Sequence, residues 1–130
     1  MNWTLTGEKF VGDIEVATSQ GKRKNRCVFV AGHYGVTTIE GPRGEEKYRV
    51  THLPTGRGVT APMGIMAAKD YARAWAWIFP EIVVDENGNV DNAFLEKNRA
   101  AINVLMGRER LPFRERREML SRLIGGETDV

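Results

Sequence analysis

The residues in this chain best able to do chemistry are cations, and they come in groups. Lys22, Arg23, Lys24 and Arg26 nearly fill one end of the polar stretch 19–26. Lys47, Arg49 and Arg57 fall in two segments that read as the strands of one hairpin. Arg108, Arg110, Arg114 and Arg117 gather around the start of a C-terminal helix. Guanidinium and ammonium groups at this density, beside free backbone amides, contact phosphate. Tyr34 adds an aromatic ring inside Gly32-His-Tyr-Gly35, where it would either pack inward in a tight turn or bulge, or stack on a base while His33 donates a hydrogen bond. Each group also has a plainer reading. Stretch 19–26 suits a solvated hairpin loop whose charges guard an apolar strand. The strand cations suit an ordinary wet face. Glu109, Glu115 and Glu118 interleave with the arginines as in a helix surface laced by ion pairs.

Catalysis has no comparable signal. No serine or cysteine stands in a nucleophile motif, no pair of carboxylates is set apart, and no glycine-rich phosphate loop follows a strand. The expectation is a protein that is not an enzyme and needs no cofactor. Two histidines and one cysteine make a metal site unexpected. Segment 81–90 has the Asp and Asn density of a calcium loop, but its glycine comes too early and no glutamate closes it.

The elements that must position these cations can be read from period and punctuation. Segment 26–31 is a short apolar run suited to a strand covered on both faces, continued at 36–39 after the Gly32–Gly35 interruption. Segment 47–53 alternates with period two, so Arg49 and Thr51 share a face. Leu53-Pro-Thr-Gly56 is a turn, and 57–61 returns as its partner strand until Pro62. Trp3 and Leu5, then Phe10 to Val16, read as an N-terminal hairpin joined at Gly7-Glu8. A helix over about 64–79 places Ala68, Tyr71, Ala72, Trp75, Ile78 and Phe79 on one stripe and ends at Pro80. Asn87-Gly88 marks a hairpin turn after a short strand. A second helix is capped by Asp91 or Asn92 and runs to about Met106, with Gly107 as terminator. A third opens with Pro112 and buries Leu120, Leu123 and Ile124.

These elements imply an α+β fold. An antiparallel sheet of about four to five strands (1–62) carries two to three helices (63–124) on one face, in a single domain 1–130 with a disordered tail at 125–130. The other sheet face is expected to be open. Trp77 lies off the main helical stripe and calls for a further packed helix or a second copy of the chain. The last residues have the form of a carboxylate peptide ligand, a match too short to weigh.

At 130 residues the chain has room for one core, and 42% apolar with 28% charged residues is ordinary for a globular protein. A net charge of +2 excludes a histone-like polycation, so any affinity for nucleic acid must be local and salt-sensitive. The lone Cys27, the lack of a signal-like N-terminus and the lack of an apolar run of ~20 residues suggest a cytoplasmic location. Together these features favour a small binding protein. It would contact nucleic acid, as a single strand or through the phosphate backbone, with Lys22, Arg23, Lys24, Arg26, Tyr34, Lys47, Arg49 and Arg57. The alternative is an accessory protein of the kind found in phages and mobile elements. It would bind or sequester a host protein, or a small nucleotide-like ligand, through Arg108, Arg110, Arg114 and Arg117.

Overall fold

The structure is a computed structural model that describes residues 3–18, 21–40 and 43–125. Five strands form one antiparallel sheet in sequence order: β1 Glu8–Thr18, β2 Gly21–Ala31, β3 Tyr34–Glu40, β4 Glu46–His52 and β5 Arg57–Gly58. Three helices follow, α1 Ile65–Ile78, α2 Asn92–Leu105 and α3 Phe113–Ile124. The α+β arrangement expected from the sequence is therefore present, with α1 lying on the sheet.

The face under α1 is set by alternation. Val36 stands opposite Val50 and Tyr34 opposite His52, all buried toward the helix. Tyr34, Trp75, Phe79 and Phe94 form a row of rings with successive centroids 5.5, 5.6 and 5.4 Å apart. The Tyr34 hydroxyl donates to the Phe79 carbonyl oxygen at 2.6 Å, and Trp75 Nε1 donates to Leu105 O at 2.8 Å. Both polar handles are thus satisfied inside the core.

The opposite face is not open. Thr37, Thr51, Cys27 and Val16 point away from α1, yet none is more than 7% exposed. The reason is the length of β1 and β2, eleven residues each. A long two-stranded ribbon twists strongly, and bulges between Lys9 and Gly12 and between Cys27 and Phe29 add curvature. The ribbon curls until Ala17 N donates to Gly56 O at 2.6 Å, joining the first strand to the turn before the last. Gly56 adopts φ +71°, and a Cβ there would meet Glu15 O, so only glycine allows this approach. Within the fold, Thr37 and Thr51 hydroxyls hydrogen-bond each other at 2.9 Å.

Other expectations change locally. Trp3–Leu5 is a 3₁₀ turn, not a strand: Thr6 Oγ1 donates to Trp3 O at 2.8 Å and Trp3 enters the core. The described part of stretch 19–26 is strand, because Val16 pairs with Arg23 and Ile14 with Asn25 along the ribbon. The last strand stops at Gly58, since Val50 N donates to the Thr60 hydroxyl at 3.0 Å rather than to a backbone carbonyl. At 85–89 the Asp85 carboxylate accepts from the amides of Asn87 and Asn89, so the side chain holds the turn. Asp91 caps α2 as expected, accepting from Phe94 N. Helix α2 kinks at Asn98, whose side-chain amide donates to Phe94 O. Trp77 is 37% exposed, so the described residues cover it only in part. The tail 126–130 lies outside the described residues. No helix among those described is long and apolar enough to cross a membrane.

Candidate functional site

The curl of β1–β2 over the sheet leaves a cleft of about 780 Å³ between the ribbon and strands β3–β5. Arg23, Lys24, Asn25 and Arg26 line one wall, and Thr37, Thr51 and Arg49 line the other. Glu45 and Glu46 bring acid to the same cleft. Asn25 is held by donating its amide to Thr38 O at 2.9 Å.

A second cleft of about 800 Å³, which shares Ile39, Glu45 and Arg49 with the first, opens between β4, the start of α1 and the segment linking α2 to α3. Lys47 and Arg49 come from the sheet, and Arg108, Arg110 and Arg116 from the linking segment and α3. The linker is fixed at its α2 end. Ala61 N donates to Met106 O at 2.8 Å, and Gly107 turns the chain at φ +65°, a left-handed conformation that favours glycine, against Met63 and Tyr71. Burial raises the pKa of Tyr71 in this wall, opposed by the nearby Arg116 guanidinium.

Arg49 belongs to both clefts. Its side chain crosses Gly58, the one residue type that leaves it room. Its Nε is buried and has no hydrogen-bond partner, and the guanidinium has no ion pair among the described residues. A buried charged donor without a partner is costly, and because Nε is closed to solvent, an oxyanion in either cleft would have to meet this guanidinium at its Nη groups.

Several predicted site residues lie elsewhere. Tyr34 is fully buried in the core and presents no face to a base. Arg57 is paired with His52, which puts it on the α1 side of the sheet, opposite to Arg49 and Thr51. The expected patch across that hairpin is therefore split by strand alternation. Lys22 pairs with Glu15 at 3.8 Å on the exposed tip of the ribbon. The four arginines near α3 also divide. Arg108 and Arg110 face the second cleft, whereas Arg114 and Arg117 border a shallow groove around the exposed Phe113.

Arg117 is occupied. Asp70, 1% exposed on α1, accepts Nε and Nη2 of Arg116 at 3.0 and 2.9 Å and Nη2 of Arg117 at 3.2 Å, with Arg73 Nη1 at 3.4 Å. One carboxylate thus holds three guanidinium groups and locks α3 against α1. Reading the sequence missed Asp70, Arg116 and Asn25. The available signal was an acid flanking the apolar stripe of α1 and arginines flanking that of α3. No cluster of His, Cys, Asp and Glu able to hold a metal ion occurs among the described residues. No protein-family model, curated protein or solved structure matched this chain.

Proposed function

We propose that this chain binds nucleic acid through its phosphate backbone, along a cationic path that runs from Arg23, Lys24 and Arg26 past Arg49 to Lys47, Arg108 and Arg110. The observation that carries this reading is Arg49, whose guanidinium stands at the junction of two clefts with no ion pair among the described residues. With Tyr34 inside the core, the contact is to phosphate and sugar rather than by stacking, so it carries little sequence preference. Because the contact is to phosphate, affinity falls with salt, with a slope set by the number of cations on the path.

The test is binding of a labelled single-stranded oligonucleotide across a salt series. Arg49→Ala is expected to weaken binding and to reduce the salt slope by about 0.7, the loss of one phosphate contact. Arg57→Ala, on the other face of the sheet, is expected to change neither. Equal effects of the two substitutions, or no binding at low salt, would overturn the proposal.

A second reading rests on the second cleft alone. Its volume suits a compact nucleotide-like ligand held by Arg49, Arg108 and Arg110. Thermal stabilisation by mononucleotides, abolished by Arg110→Ala, would select it over the extended path.

A further inference from the structure

A smaller pocket of about 310 Å³ lies on the far side of the segment after β5, between it, α1, the 82–90 turn and α2. Val59, Trp75, Ile82, Phe94, Ile102 and Met106 make most of its wall. The polar groups of this wall are already engaged. Trp75 Nε1 donates to Leu105 O, and the Thr60 hydroxyl donates to Ala61 O while accepting from Val50 N. With these side-chain groups used, the interior offers mainly shape and apolar contact. Arg108 is the one charged residue that borders it, is exposed, and has no ion pair among the described residues.

We infer that this pocket binds a small amphipathic anion, an apolar body of about eight carbons with a carboxylate that pairs with Arg108. Size sets the body: a cavity of ~150 Å³ lined by aliphatic and aromatic side chains holds a benzene ring, and this pocket is about twice that volume. Charge sets the head group, since an apolar chain seated among Val59, Ile82 and Ile102 directs its free end to the rim where Arg108 stands. A helix or strand of a partner does not fit so compact a space. The pocket shares Arg108 with the cationic path, but the apolar walls that carry the inference, Val59, Ile82 and Ile102, are not part of that path, and the titration below involves no nucleic acid.

The experiment is methyl nuclear magnetic resonance of the full chain, labelled at Ile, Leu and Val, titrated with sodium octanoate and separately with 1-octanol. Octanoate is expected to shift the methyl signals of Val59, Ile82 and Ile102 saturably and to bind about tenfold more tightly than octanol, the worth of one charge-assisted contact. Arg108→Ala is expected to erase that difference while leaving the melting temperature unchanged, because the side chain is exposed. Val59→Phe, which fills the pocket, is expected to remove binding of both. Shifts of these methyls that are equal for octanoate and octanol would overturn the assignment of the head group. Absence of saturable shifts, or shifts that track protein concentration instead of ligand, would overturn the pocket as a ligand site.

Discussion

Arg49 is held in an environment that leaves its charge half-satisfied. Its stem lies on Gly58, Thr37 donates its hydroxyl to the Arg49 carbonyl oxygen at 3.3 Å, and the Nε hydrogen finds no acceptor. Replacing Gly58 by alanine would drive a Cβ into the arginine side chain, so Gly58→Ala is expected to weaken anion binding without removing any charge. Asp70 is the converse case, a carboxylate with three cationic partners. Asp70→Asn leaves Arg116 buried beside a neutral amide, and a loss of about 3–5 kcal/mol in unfolding by denaturant is expected, the range for breaking a buried pair on one side. His52 carries a pH dependence. Burial, and less so the neighbouring His33, lowers its pKa from the ordinary value. The folded state therefore disfavours the charged ring. Its stabilising contribution is complete above the unfolded pKa of about 6.5 and is lost as pH falls from there toward the lower folded value. Thermal melts are expected to drop in midpoint through this window, and His52→Gln is expected to flatten the drop. Cys27, fully buried with its thiol pKa raised by burial, is expected to react with iodoacetamide only when the chain unfolds.

At the level of elements, the ribbon β1–β2 decides the architecture. A shorter hairpin would have left one sheet face bare, whereas eleven-residue strands with two bulges reach the β4–β5 turn and cover Thr37, Thr51 and Cys27. The closure depends on a single approach of backbones at Gly56. Gly56→Ala is expected to cost about 1–3 kcal/mol from the left-handed φ alone, with a further penalty from Glu15 O. Hydrogen exchange at the Ala17 amide, which donates to Gly56 O, is expected to accelerate in that variant well beyond the global loss of stability. Helix α3 depends on different forces. Leu120 and Leu123 bury its inner face, and the Asp70 cluster fixes its rotation, while Arg108 and Arg110 reach the cleft from a linker anchored at its α2 end.

On the scale of the molecule, cations more than 80 residues apart meet along one surface. Arg23 and Arg26 lie on the first hairpin, while Arg108 and Arg110 lie beyond α2, with Arg49 between them. If a strand follows this path, affinity is expected to rise with oligonucleotide length until both clefts are engaged and then to level off. A ligand confined to one cleft gives no such rise.

The elements themselves were legible in the sequence because they rest on local physics. Alternation marked 47–52, the i, i+3, i+4 stripe marked α1, Asp91 announced its own cap, and Gly107 its own terminator. The candidate cations were legible as a set, since charge density is a property of composition. Their grouping was not. Whether Arg57 joins Arg49 depends on which residues pair across a ladder, and the register His52 with Arg57 sends them to opposite faces. Tyr34 between two glycines could be read as a stacking ring or as a packed turn residue, and only the packing of Trp75 and the Phe79 carbonyl oxygen decided for the second. The open sheet face failed for a long-range reason: the curl of β1 is a sum of small twists that brings residue 17 to residue 56. The amino-acid sequence by itself determined the kinds of element, their order and the charge available. Tertiary structure alone decided which charges share a surface, because pairing register and ribbon twist are settled by contacts between residues far apart in the chain.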